Sequence, residues 1–303
     1  MEKTMNQEPL VSVITPCYNG ESYMRPMLDS LLAQTYKNVE FFFINDGSTD
    51  HTEEIFLEYK PKLEAKGWKV IYHKQENGGA AKAINFGLAH FTGKYLTWPD
   101  ADDILYPNYL TRKVMYMETH PNCALLFNPV DCCIGHKIED KQVPLRFILP
   151  QKHETFFDKL LFQQGVIYCP ISSFARTEDF IRVLPNRQIY DQSKGGQNWQ
   201  MLLPLAYDRK VDYLDEILAC YVNRTDSHSH SSSTAPITRQ NQYEAVLTHA
   251  LLSITTMPDE EKQTYLGKIK RLYAKKRLKI RIKQILLPVL GEPVFNKLKG
   301  CFK

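Results

Sequence analysis

The sequence predicts an α/β fold: a mixed, mainly parallel sheet flanked by helices, with a basic helical extension at the C-terminus. Three observations carry that expectation. β-branched apolar runs alternate with segments of helical periodicity from Val11 to Trp98, the pattern of parallel βαβ units with right-handed crossovers. Apolar residues make up 43% of 303 and charged residues 24%, enough for one full α/β domain plus an appendage. From Arg239 onward the pattern is helical and increasingly basic.

Taken in order, Val11-Ser12-Val13-Ile14-Thr15 is a buried strand stopped by Pro16. Tyr23 to Gln34 places Tyr23, Met27, Leu28, Leu31 and Leu32 on one helix face. Val39 to Asn45 is a second strand, ending in Asp46-Gly47-Ser48-Thr49-Asp50, a turn with capping side chains for the next helix. Trp68 to His73 is a third strand, Asn77-Gly78-Gly79 opens a helix to about His90, and Lys94 to Trp98 is a fourth strand. In such sheets ligands gather at the carboxyl ends of the strands, where Tyr18, Asp46, the Asn77 turn and Asp100 all fall. Beyond Tyr109 the signal is weaker. Ala124 to Phe127, Ser172 to Ala175 and Ile217 to Val222 read as strands, Trp199 to Tyr207 as a helix apart from Pro204, and Thr225 to Thr234 as a loop.

Composition excludes several classes. The net charge of +4 is mild and its excess lies near the C-terminus, so the chain is not expected to bind nucleic acid. Seven cysteines without a Cys-x-x-Cys pair argue against a disulfide framework or a zinc site and fit a reducing cytosol. The polar start, Met1 to Pro9, lacks the apolar core of a secretion signal, and no run approaches the roughly 20 apolar residues that cross a bilayer.

Asp100-Ala101-Asp102-Asp103 follows the fourth strand directly. Three carboxylates this close repel one another. A hard divalent cation relieves that repulsion and bridges substrate phosphates; an acidic turn capping a helix is the plainer account. The surrounding motifs favour the first. Val11 to Asn19, Ile44 to Asp50, Asn77-Gly78-Gly79 with Lys82 and Asn85, Gly93-Lys94-Tyr95 and the acidic cluster, in this order and spacing, resemble the family 2 glycosyltransferases of the GT-A (Rossmann-like) fold over residues 10 to 120.

The resemblance implies a nucleotide-sugar site. Tyr18 would stack on the donor base, with Thr15 and Pro16 shaping its loop, and Asp46 would accept from the imide nitrogen of uracil or thymine. Asn77 and Gly79 would let backbone approach the ligand. Lys82, where the family usually has arginine, would face the diphosphate without a two-pronged fork. Asp100 would face the ribose or the metal's water shell, and Asp102 would ligate Mn2+ or Mg2+. The Glu-Asp pair that commonly supplies the base for inverting transfer is replaced here by Gln197-Asn198, and an amide cannot accept that proton. Asp191 is then expected as the base, with Gln197, Asn198 and Trp199 holding the acceptor. The alternative is a weak or inactive nucleotide-sugar-binding protein. Gly195 to Trp199 resembles bacterial family 2 proteins of surface-polysaccharide synthesis, which points to a glycan or lipid-linked acceptor. His228 is the expected histidine ligand to the metal.

These expectations divide the chain into a flexible N-terminus (1–9), a nucleotide-sugar half (10–120), an acceptor half (121–235) and a basic helical region (236–303). The last region carries cations interleaved with apolar residues, which suggests an anionic membrane surface. The expected location is the cytoplasm, peripheral at the inner face of the cell membrane.

Overall fold

The computed structural model describes residues 8–134, 141–145, 155–162, 169–193, 196–224 and 235–298. The alternation read from the sequence appears as strands β1 (Val11–Cys17), β2 (Val39–Asn45), β3 (Lys69–Lys74) and β4 (Tyr95–Thr97), separated by helices α1 (Met24–Leu32), α2 (Thr52–Ala65) and α3 (Ala80–His90). Next come β5 (Ile104–Leu105), α4 (Tyr109–Thr119), β6 (Cys123–Phe127), β7 (Val130–Ile134), β8 (Lys141–Leu145) and α5 (Phe156–Phe162). A 3-10 turn at Pro170–Ser172 precedes β9 (Phe174–Arg176) and α6 (Thr177–Val183). The chain continues through α7 (Gln197–Asp208), β10 (Lys210–Tyr213), β11 (Ala219–Asn223), α8 (Pro236–Leu252) and α9 (Asp259–Leu298).

Seven strands form one sheet in the order β10-β6-β9-β4-β1-β2-β3. β1 runs parallel to β2 and β4, β2 to β3, and β6 to β10, whereas β9 is antiparallel to both its neighbours. The strand order reverses at β1, so a crevice opens where the carboxyl ends of β1 and β4 diverge. Alternation along β2 builds the two faces of the sheet. Phe41 and Phe43 pack on one side, where the Phe43 ring stacks on Phe56 of α2 at 4.1 Å, while Phe42 and Ile44 join the opposite core with α3 and α7. Such packed aromatic area is the main source of stability for the sheet.

A second sheet, β5-β11-β7-β8, lies beside the crevice and was largely missed in the sequence. β11 runs parallel to β7 and antiparallel to β5. This pairing joins Cys133 to Cys220 in a disulfide, a single cross-link rather than a framework. The two cysteines are 87 residues apart, so spacing along the chain could not reveal a contact made by strand pairing. Cys17, Cys123, Cys132 and Cys169 are free and buried.

Two further points differ from expectation. α7 runs through Pro204 without a break. α8 is part of the domain rather than an appendage: Val246 and Leu247 are fully buried, and Tyr243 meets Trp199 of α7 edge to face at 5.4 Å. Among the described residues, no helix is long and apolar enough to cross a membrane.

Candidate nucleotide-sugar site

The loops after β1, β2 and β4, the turn before α3, the start of α7, and β11 enclose a cleft of about 530 Å³. Each loop is fixed by a local device. Asn19, at φ 49°, turns the β1 loop, and its side chain accepts from the Thr49 N–H while its own N–H donates to Ser48 Oγ. The β1 and β2 loops are thereby latched together. The Asp46 carboxylate holds the next turn: Oδ1 accepts from Gln75 Nε2 and the Gly78 N–H at 2.8 and 3.0 Å, and Oδ2 accepts from the Gly79 N–H at 2.7 Å. Gly79, at φ 89°, then starts α3 in a backbone conformation that glycine adopts without strain.

The acidic cluster lies across the cleft. One oxygen each from Asp100, Asp102 and Asp103 lies within 4.8 Å of the others. Burial, and then Asp102, push the Asp100 carboxyl up to about 7, with Arg224 opposing. Asp103 is fully buried and is raised well above the usual carboxylate range, first by burial and then by its two acidic neighbours. Its Oδ1 accepts from the Val222 N–H at 3.4 Å, and its Oδ2 is buried with no hydrogen-bond partner among the described residues. An all-oxygen set with an orphaned buried carboxylate oxygen fits a hard divalent cation.

Arg224, just beyond β11, was not anticipated from the sequence. Its Nε donates to Asp102 Oδ2 at 2.8 Å, and its guanidinium lies 3.6 Å from the centre of the Tyr23 ring. Tyr23 in turn donates through its hydroxyl to the Tyr18 carbonyl at 2.8 Å. The Asp102–Arg224 pair is only 16% and 10% exposed, so water screens it weakly, and losing one partner of so sheltered a pair is costly. Arg224→Met is expected to destabilise the metal-free chain by about 3 kcal/mol. Millimolar Mn2+ should then recover more stability in the variant than it adds to the wild type. Equal urea midpoints for the two chains without metal would rule out Arg224 as the counter-ion of the cluster.

The structure brings Pro16, Tyr18, Asp46, Asn77, Gly79, Asp100, Asp102, Gln197, Asn198 and Trp199 to one cleft, with Tyr23, Tyr221, Arg224 and Tyr243 added. Three expected residues are not among its lining. Thr15 is fully buried in β1. Lys82 packs its stem over Gly78. Asp191 lines a separate cavity of about 340 Å³ with Tyr190, Gln200 and His249, because its loop is fastened away from the cleft. Asn85 of α3 exchanges two hydrogen bonds with the Ile189 backbone, and Gln200 of α7 clamps both backbone groups of Tyr190. Asp191 is thus placed outside the lining of the cleft. Asn198 accepts from Trp98 Nε1 at 3.1 Å, so one of the two amides ties α7 to the end of β4. His228 falls outside the described residues.

A mainly parallel sheet, a cleft at its switch point and an acidic cluster after β4 are features of the GT-A class of α/β folds. Residues 12–184, more than half of the chain, match the model for glycosyl transferase family 2. The chain belongs to that family. It is 39% identical over 150 residues to an uncharacterized glycosyltransferase of Rickettsia typhi, covering 50% of this chain and 44% of that protein. It is 32% identical over 123 residues to the minor teichoic acid biosynthesis protein GgaB of Bacillus subtilis, covering 40% and 13%. The chain thus spans less than half the length of these two relatives. Among solved structures, S. aureus TarS 1-349 in complex with UDP-GlcNAc superposes with a TM-score of 0.65 at 20% identity, over 87% of this chain and 72% of that one. The mannosyltransferase PcManGT of Pyrobaculum calidifontis in complex with GDP-Man and Mn2+ gives 0.54 at 14% identity, over 97% and 80%. At these identities the likeness is one of fold.

Proposed function

We propose that the chain transfers a sugar from a uridine or thymidine diphosphate donor to a glycan or lipid-linked acceptor, with a divalent metal at the acidic cluster. The observation that carries this reading is the convergence of Tyr18, Asp46, Asp100 and Asp102 on one cleft. Tyr18 offers a ring to the donor base, and Asp46 Oδ2, already accepting from Gly79, keeps lone-pair capacity for an imide N–H. Asp102 and Asp100 would hold the metal, with Asp103 supporting their loop from beneath. When bound, a divalent cation supplies Lewis-acid neutralisation of the departing diphosphate. Arg224, beside Asp102, adds a fixed positive charge to the same wall. Gln197, Asn198 and Trp199 at the start of α7 face the cleft from the acceptor side.

A second reading, donor binding with little or no turnover, is favoured by one observation: α7 begins with two amides, and Asp191 lies in another cavity. Product release separates the two. The purified chain with Mn2+ and a panel of nucleotide sugars should release nucleoside diphosphate from one of them. Binding without release, even with acceptor present, supports the second reading, and no binding of any donor sinks both. Tyr18→Ala should raise the donor Kd by about tenfold or more, since base–aromatic stacking contributes roughly 1–3 kcal/mol. An unchanged Kd by titration calorimetry would remove Tyr18 from the base site.

A further inference from the structure

Ten Lys and Arg fall between Lys262 and Lys283, and no Asp or Glu occurs between Glu261 and Glu292. The apolar residues among them do not form one helix face, and the structure shows the reason. At 3.6 residues per turn, Ile269 and Tyr273 point to the body of the domain, where both are fully buried. Leu278, Ile282 and Ile285, spaced i, i+4 and i+7, share the opposite face, and Leu278 is 57% and Ile285 67% exposed. Two apolar faces half a turn apart cancel any simple periodicity. Among the described residues, the last ion pair from α9 to the body is that of Arg277, paired with Glu244 of α8 and donating to Asn241. From Leu278 to Pro288 no described residue is buried.

The outward stripe is bordered by cations. Arg271, Lys275, Lys279 and Arg281 are all exposed, and none forms an ion pair with a described residue. A second copy of this face would bring like charges together across the stripe, which opposes pairing. An apolar groove would cover the leucine and isoleucines and strand the cations. A surface that takes apolar side chains at its boundary and presents phosphates beside them satisfies both groups. We infer that the outward face of α9 docks on an anionic phospholipid surface, with Leu278, Ile282 and Ile285 entering the headgroup boundary and the flanking cations meeting lipid phosphates. This inference stands apart from the donor reading, because it is measured without nucleotide sugar.

The test is flotation of the full chain with neutral phosphatidylcholine vesicles and with vesicles containing phosphatidylglycerol. Partition onto the anionic vesicles should exceed that onto neutral ones by at least about tenfold. Lys275→Gln/Lys279→Gln/Arg281→Gln should lower it on the order of a hundredfold, at about 1 kcal/mol per cation near the surface. Leu278→Ser/Ile285→Ser should lower it by about tenfold or more through lost apolar burial. All five side chains changed in these two variants lie past Tyr273, the last buried residue among those described in α9, and circular dichroism verifies that each chain is folded. Equal partition onto neutral and anionic vesicles, or wild-type partition by either variant, overturns the inference. So does vesicle-free self-association that Leu278→Ser/Ile285→Ser abolishes, which would make a second copy the occupant. A chain that floats yet releases no nucleoside diphosphate from any donor counts against the donor reading alone.

Discussion

Replacing Asp102 with Asn lowers nucleoside diphosphate release by a factor on the order of 10³, because charge neutralisation of the departing diphosphate is worth several kcal/mol. Asn keeps an oxygen where Asp102 accepts from Arg224 Nε, so the cleft wall keeps its shape while losing the negative charge that would hold a cation. Arg224 then faces an amide, so some stability is lost as well, and the metal-specific loss is read as turnover and Mn2+ affinity of the folded variant. Release within about tenfold of wild type at saturating Mn2+ would remove Asp102 from the metal site. Comparison with Arg224→Met is informative here, since the two changes alter the charge of one pair in opposite directions.

Asp46→Asn is expected to cost about 3 kcal/mol of stability and to weaken donor binding as well. Asp46 is almost fully buried, and its carboxylate accepts three hydrogen bonds, two of them from the Gly78 and Gly79 N–H groups. An amide has only one acceptor oxygen, so its NH2 would face a backbone donor and leave a partly buried N–H unpaired. A shift in the urea midpoint at unchanged m-value measures this. If Asp46 served only to read the donor base, stability would stay at the wild-type value and only the donor Kd would move. The structure thus gives Asp46 a part in shaping the cleft that its motif did not announce.

The wall of the cleft built by β1, β2 and β4 was legible because it is local. Each of these strands is a short apolar run ending at a loop whose polar residues follow within a few positions, so Tyr18, Asp46 and Asp100 could be placed by counting. The wall built by α7 and β11 was not. Arg224 reaches Asp102 across 122 residues because β11 pairs with β5 and β7, and nothing in the sequence around Asn223-Arg224 marks that register. The same pairing joins Cys133 to Cys220. The bonds that Asn85 makes to the loop before Asp191 were also beyond reach, because they join residues far apart in the chain. The two apolar faces of α9 are likewise separable only once Ile269 and Tyr273 are seen to be buried.

The bond from Trp98 to Asn198 has a consequence for building hybrids between relatives. It crosses from the first 120 residues to the rest of the chain, as do the Asn85 contacts to Ile189 and the Arg224 contact to Asp102. A chimera that joins the first 120 residues of this chain to the second half of a relative inherits only one member of each pair. Exchanging second halves would therefore require Trp98 with its partner at 198, and Asp102 with its partner at 224, to be carried over as matched sets.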